Sequence, residues 1–442
     1  MKEKYKNNNQ NNVLGKIRSK YILMHIFDNL NESIMFKIIK YNKMLQKRLD
    51  KSINNYKHEY YKIIIEIIPS DNKYGKFINP LENYESYYHI YFNDNDNKEE
   101  MKKYDFTKED KIRKIKIVMD DKINSLFGLF NFCNCIKKIS FIKYNRKNIK
   151  DMSYMFNKCE SLEEINLSNL QTDNVTDMRN MFAGCKYLKE LELSNFKTNK
   201  VIYMNHMFHN CSSLKELNLS NFNTENVTNM SSMFYGCESL KEINLSNFNT
   251  HKVTNFSYIF GICHSLEKLN ISNFITDNAT NMSHMFLGCY SLEELDISKF
   301  NTAKVTNMLS MFGYCQSLES LNLSNFNTNK VVDFSNMFNR CCLLKELNIV
   351  NFNTEKATNM RSMFSYCSSL QRLVLSNFNT INVYNMSFMF LYCSSLKELN
   401  LSNFNTNKVS NTNYMFYGCS SLTELNISNL TVINELDINN MF

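Results

Sequence analysis

Apolar positions recur along most of this chain with a fixed period of 26 residues. The segment CESLEEINLSNLQTDNVTDMRNMFAGC, which runs from Cys159 to Cys185, shows the unit. Leu162, Ile165 and Leu167 have L-x-x-L-x-L spacing. Ile165 and Leu167 are two positions apart, so they point to the same side of a strand while the polar residues between them point to the other. The first half of the unit is therefore predicted to be a strand.

The second half of the unit has a different spacing. Four apolar residues stand at i, i+3, i+4 and i+7: Met178, Met181, Phe182 and Cys185. This spacing predicts a short helix, and Thr176 or Asp177 is placed to cap its first turn. Each unit is predicted to be a strand, a turn and a short helix.

The period has no insertion or deletion between residues 133 and 419. Cysteine stands at 133, 159, 185, 211, 237, 263, 289, 315, 341, 367, 393 and 419. One unit alone is unable to enclose its apolar side chains, but stacked units cover one another. The chain is therefore predicted to form an α/β solenoid of about twelve units, with the strands lining the inside of an arc.

The whole chain is predicted to consist of a polar disordered tail at 1–14, a small α+β cap domain at 15–110 and the solenoid at 111–442. The cap has helices within 15–50, followed by strands. The net charge of +8 is concentrated before residue 126, which is typical of a lysine-rich solvated surface but is compatible with an acidic partner.

Candidate catalytic and metal-binding chemistry is sparse. The cysteines form a stripe at one core position rather than the clustered pairs that a metal site needs, and buried reduced thiols favour the cytoplasm. His206 and His209 are the one local histidine pair near a cysteine. No glycine-rich phosphate loop occurs. We predict no enzyme activity, no catalytic residue, no metal and no cofactor.

What remains is the exposed side of the strands. Eleven residues at the fifth and seventh positions after the cysteines are predicted to contact a partner: Glu164, Glu190, Glu216, Glu242, Glu294, Glu346, Arg372, Glu398, Asn218, Asn244 and Asn270. Two interpretations stay open: an acidic, amide-lined strip for a protein partner, or a solvated sheet face copied by duplication. Arg372 is either a contact point or a bridge between Glu346 and Glu398.

The segment FNTENVTNMSSMFYGCESLKEINLSNFNT at 222–250 resembles the BspA-like leucine-rich repeat family, and the resemblance covers residues 123–442. It implies a leucine-rich solenoid used in adhesion and protein binding, with no catalytic residues to carry over. The chain shows no secretion signal, lipid-attachment cysteine near the start, wall anchor or apolar run long enough for a membrane helix. A cytoplasmic location is therefore favoured over the cell surface that the family implies.

Helical residues at 15–50 are weakly similar to an F-box, with apolar pairs such as Ile22–Leu23 and Met35–Phe36 near that spacing. The usual proline and tryptophan are missing. Two functions are predicted as alternatives. The first is a non-enzymatic scaffold that binds protein partners, and not nucleic acid, through the exposed side of its strands. The second is an intracellular ubiquitin-ligase adaptor whose repeats select the substrate.

Overall fold

The computed structural model describes residues 14, 17–28, 30, 32–40, 42–49, 53–93, 100–430 and 441–442. It begins with four helices: α1 (Lys20–Asp28), α2 (Glu32–Lys40), α3 (Lys43–Arg48) and α4 (Ile53–Tyr61). The first three helices and Leu49 form a small apolar core of Leu23, Phe27, Ile39, Leu45 and Leu49, separate from the main core of the protein. The predicted polar tail at 1–14 lies outside the described residues, except for Leu14.

A five-stranded sheet follows, in the order β3–β5–β1–β6–β7. The bounds of its strands are β1 Ile63–Pro69, β3 Tyr88–Phe92, β5 Ile115–Met119, β6 Ile136–Lys143 and β7 Glu164–Asn166. A separate two-stranded sheet pairs β2 (Gly75–Lys76) with β4 (Asp105–Phe106). Short 3-10 helices span Glu85–Tyr87 and Lys108–Asp110. Pairing is antiparallel up to β6 and becomes parallel between β6 and β7, where Ile139 faces Ile165. The sheet thus leads directly into the repeats. The domain boundaries drawn from the sequence stay a prediction.

The repeats form the predicted solenoid, and they pair in two places. Short parallel strands follow the cysteines: β8 Glu242–Asn244, β9 Lys268–Asn270, β10 Ser320–Asn322, β11 Glu346–Asn348, β12 Glu398–Asn400 and β13 Glu424–Asn426. A second series of single parallel bridges precedes the cysteines, from Asp151–Asp177 to Asn385–Asn411. The bridges link successive repeats without a break, whereas the strand pairs after the cysteines link only some of them.

The fold class is confirmed, but turns replace the short helix predicted in each unit. No residue from 111 to 430 is helical. The residues one and five positions before the cysteines have positive φ, as at Asn180 (55°) and Gly184 (76°). Left-handed residues interrupt an α-helix. Alternate N–H groups donate to the next repeat instead, as Phe182 N does to Met207 O at 2.9 Å.

Three buried columns hold the repeats together. Phenylalanines from Phe130 to Phe442, all buried except Phe442, stack with ring centroids 5.4 to 5.9 Å apart. The thiols from Cys159 to Cys419 each donate a hydrogen bond, 3.0 to 3.3 Å long, to the carbonyl of a phenylalanine in the preceding repeat. Buried threonines, described below at Thr302, form the third column. Stacking therefore satisfies polar as well as apolar groups.

Candidate functional site

The strand face, defined here as the exposed side chains four, five and seven positions after each cysteine, holds the residues predicted to bind a partner. All eleven are exposed to solvent and lie on the same side of the repeats. The residue between the fifth and seventh positions is buried or half-buried, as at Ile243 and Leu269. The alternation predicted for the strands is confirmed. Partner binding by these residues stays a prediction.

The strands pair in register, so side chains at the fifth position lie beside their copies. Lys138 faces Glu164 with a distance of 2.6 Å from Nζ to Oε2, and this contact lowers the pKa of the Glu164 carboxyl. Arg372 Nε lies 3.1 Å from Glu398 Oε1. Among the described residues, no ion pair joins Arg372 to Glu346. The bridge predicted between two glutamates is therefore found on one side.

The strand face carries lysines as well as glutamates. The fourth position, which the sequence interpretation left out, is lysine in half of the repeats (Lys137, Lys189, Lys215, Lys241, Lys345 and Lys397) and glutamate in four (Glu163, Glu267, Glu293 and Glu319). Lys345 Nζ lies 2.9 Å from Glu319 Oε2, and Lys241 Nζ lies 3.6 Å from Glu267 Oε1. The recurring Lys-Glu dipeptide was the signal for this second column. The ion pairs therefore run along each column, between equivalent positions of neighbouring repeats, and partner binding by the predicted acidic strip stays a prediction.

The predicted asparagines have a local structural role. Asn218 and Asn244 each accept a hydrogen bond from the backbone N–H two residues later, at 3.0 Å. Asn270 does the same at 3.2 Å. These bonds close the turn after each strand. Each of these asparagines thus uses its Oδ1 atom within its own repeat. This role agrees with the interpretation of the strand face as a solvated surface copied by duplication.

A different asparagine column links the repeats, and the sequence reasoning missed it. Asn221 Nδ2 donates to Leu193 O at 2.9 Å and to Phe196 O at 2.7 Å, both in the preceding repeat. Asn247 and Asn403 make equivalent contacts. The recurring S-N-F triplet was the available signal. These side chains donate hydrogen bonds to carbonyl groups that lie outside the strands.

Two depressions on the strand face each span three adjacent repeats. The larger, about 960 Å³, is lined by residues that include Arg372, Val374, Glu398 and Glu424. The smaller, about 610 Å³, is lined by the copies around Glu242. Val374 replaces the usual asparagine and is 55% exposed. Depressions that cross several repeats fit an extended segment better than a small molecule.

The buried thiols and histidines are poorly suited to chemistry. Burial raises the pKa of Cys211 to about 12 and that of Cys419 to about 11, so both thiols stay protonated near neutral pH. Burial lowers the pKa of His209 to about 4. His206 contacts His209, but in the described part of the chain no group of three or more His, Cys, Asp or Glu side chains is placed to hold a metal.

Comparison with known sequences identifies a repeat family. A family model described as "Mycoplasma protein of unknown function, DUF285" matches residues 124–242, 213–295, 267–347 and 343–442. No curated protein matches. No comparison supports the F-box-like resemblance at 15–50. Over the described residues, no helix has both the length and the apolar character needed to cross a membrane.

Three solved bacterial leucine-rich repeat proteins resemble the fold. One from Bacteroides ovatus is 20% identical, with 71% of this chain and 83% of that chain covered and a TM-score of 0.37. One from Eubacterium ventriosum is 15% identical, with 69% and 94% covered and a TM-score of 0.37. One from Leptospira interrogans is 14% identical, with 62% and 85% covered and a TM-score of 0.20.

Proposed function

Because this chain belongs to the DUF285 family, whose function is unknown, we propose a function from its own surfaces. The protein is a non-enzymatic scaffold that binds an extended segment of a protein partner along the strand face. Such binding serves recognition or adhesion. The residues that contact the partner are the glutamates at the fifth position, together with Arg372.

The observation that carries this proposal is the in-register array of exposed charges. Parallel pairing places equivalent side chains about 4.8 Å apart along the solenoid. In the register, Glu242 lies beside Lys268, and Glu398 lies beside Glu424. Their backbones are fixed by stacking, so little conformational entropy is lost when a partner binds. A series of weak contacts on one rigid face adds up when they are made by one ligand.

The glutamates and lysines of the strand face set the chemistry of the partner. Each exposed ion pair on the strand face contributes little stability to the fold, because solvent screens it. The same charges discriminate between partners, since a misplaced like charge costs binding energy. A partner with acidic and basic side chains along an extended segment fits this face. The hydrophobic contribution comes from the half-buried strand residues and from Val374.

A charge-reversal experiment tests the proposal. Peptides that bind the immobilised protein are selected from a displayed random library, and their affinity is then measured for the triple variant Glu216→Lys, Glu242→Lys and Glu294→Lys. We expect binding to weaken by at least about tenfold, because three contacts become repulsive.

A matched control reverses three exposed carboxylates away from the strand face: Glu225, Asp277 and Glu355. The control changes the net charge by the same amount and should leave the affinity nearly unchanged. If selected peptides bind the strand-face variant as tightly as the unaltered protein, the strand face is not the binding site. Equal weakening in both variants would point to net charge alone.

A further inference from the structure

The residue directly before each cysteine lies on the turn face, opposite the strands, and always has a left-handed backbone. Its φ is positive in all twelve repeats, from 54° at Asn210 to 78° at Gly418. Glycine adopts this conformation without strain. Four of the twelve residues are glycine, and each leaves room for the side chain at the equivalent position of the preceding repeat. A Cβ at Gly236 would lie 2.1 Å from Asn210 Oδ1.

From residue 158 to residue 288, larger residues and glycines alternate at this position. The alternation then stops for four consecutive repeats. Tyr314, Arg340, Tyr366 and Tyr392 have φ values of 63°, 61°, 59° and 54°. A bulky residue in the left-handed region carries a conformational cost, and such residues cluster at functional sites. Four bulky residues in succession distinguish these repeats from the earlier ones, in which glycine fills every second position.

The four side chains form a continuous column. The Arg340 guanidinium carbon lies 5.4 Å from the ring centre of Tyr314 and 4.3 Å from that of Tyr366. Tyr366 stacks on Tyr392 at 4.9 Å. Tyr392 then leans over Gly418, where a Cβ would approach its ring to 2.5 Å. The column therefore ends where glycine returns.

A second arginine joins this surface from the neighbouring turn. Arg361 is exposed, and its guanidinium carbon lies 5.1 Å from the ring centre of Phe388. Phe388 stacks on Tyr414 at 5.4 Å. Tyr417 links the two columns, because its ring contacts both Tyr414 and Tyr392. We call Arg340, Arg361, Tyr366, Phe388, Tyr392 and Tyr414 the arginine–aromatic patch.

An equivalent arginine elsewhere shows what the patch lacks. Arg179 occupies the same repeat position as Arg361 and likewise lies over a ring. Its Nε donates to Asp177 Oδ2 at 2.8 Å, so its charge is neutralised within the repeat. Asn359 replaces that aspartate beside Arg361. Within the described ranges, neither Arg340 nor Arg361 has an ion pair with a carboxylate.

We propose that the arginine–aromatic patch binds an acidic segment of a protein partner, separately from the strand face. Tyrosine and arginine dominate the energetic centres of protein interfaces. Most rings of the patch already stack on another ring or on a guanidinium group, which leaves fewer faces for a sugar or a nucleic-acid base to stack on. Two unneutralised guanidinium groups select carboxylates.

Fluorescence anisotropy with a labelled short polyglutamate peptide tests this proposal on the full chain. Arg340→Ala with Arg361→Ala should weaken binding about tenfold or more, and Arg179→Ala should leave it unchanged. Equal affinities for all three proteins would overturn the proposal. So would tight binding of a single-stranded oligonucleotide to the patch without binding of polyglutamate.

Glycine substitution separates binding from folding. Tyr366→Gly and Tyr392→Gly remove side chains but place glycine where the backbone favours it. We expect both variants to keep the thermal midpoint within a few degrees and to lose affinity for polyglutamate several-fold. The opposite result, a large loss of thermal stability with unchanged affinity, would show that the column only supports the fold.

Discussion

Replacing Thr302 by valine is expected to destabilise the solenoid strongly although the side chain keeps its shape. The Thr302 hydroxyl donates to Asn327 O at 2.9 Å and accepts from Asn327 N at 2.8 Å. The threonine is 1% exposed. Equivalent contacts recur from Thr172 to Thr380, so this hydroxyl is a standard connector between repeats.

The magnitude follows from the groups left behind. Valine fills the same volume, so no cavity term is added, but Asn327 loses both backbone partners. An orphaned buried donor or acceptor costs about 1–3 kcal/mol. For the pair we expect a loss of about 2–4 kcal/mol, after allowing for some access of water to the turn. Amide exchange at Asn327 should accelerate more than tenfold, because 1.4 kcal/mol corresponds to a factor of ten.

Thr280→Val is the matched control. Thr280 is exposed, and its hydroxyl makes a single 3.2 Å bond to Thr254 O in the preceding repeat. Its loss should change stability by less than about 0.5 kcal/mol. Urea unfolding followed by circular dichroism, together with hydrogen exchange resolved by repeat, measures both variants. Equal stability of the two variants would refute the role of the buried hydroxyl.

Two further outcomes test the thiol column and the buried imidazoles. Cys289→Ala should reduce the free energy of unfolding by about 2–3 kcal/mol, because it leaves a cavity and removes the thiol that donates to Phe260 O at 3.2 Å. Cys289→Ser keeps a donor and should lose less stability in urea unfolding. Equal losses in the two variants would contradict the hydrogen-bond role. Burial lowers the pKa of His209 and of His284 to about 4. As the pH falls, the unfolded chain therefore takes up protons at these histidines before the folded chain does. The free energy of unfolding should fall by about 2 kcal/mol for the pair between about pH 6.5 and about pH 4, a value reduced for the partial exposure of both side chains. The reference is the double variant His209→Phe with His284→Phe, which lacks both imidazoles. Parallel pH profiles of the two proteins in thermal unfolding would be evidence against this effect.

Much of the architecture follows from repetition, which the sequence displays directly. A period of 26 residues requires stacking, and the strand spacing around Ile243 places the exposed and buried sides correctly. The cysteine column was correctly predicted to be buried, except that Cys419 at its end is half-buried. Its hydrogen bonds were not predicted, because a single sequence gives no distance between a thiol and a carbonyl in another repeat.

The helical half was harder to predict because apolar spacing does not report the sign of φ. Asn180, Ser232 and His284 all occupy the left-handed position five before a cysteine. Asparagine and histidine are enriched among left-handed residues, but serine is not. The pairing with the next repeat supplies the hydrogen bonds that compensate for this backbone, and that tertiary effect overrides the local helical pattern. The lysine column was visible in the sequence but was not weighed against the glutamates beside it.

The location of specificity follows from what stacking does and does not require. Positions that are the same in most repeats, such as phenylalanine, cysteine and buried threonine, are explained by contacts between repeats, so they carry little information about a ligand. Departures from the repeat carry more. Arg372 and Val374 change the strand face in the same part of the solenoid where Arg340 and Tyr392 change the turn face. The larger depression also lies there. If both proposals hold, variants in these repeats should impair partner binding more than identical changes near Glu216, because a copied surface supplies avidity whereas an altered one distinguishes partners.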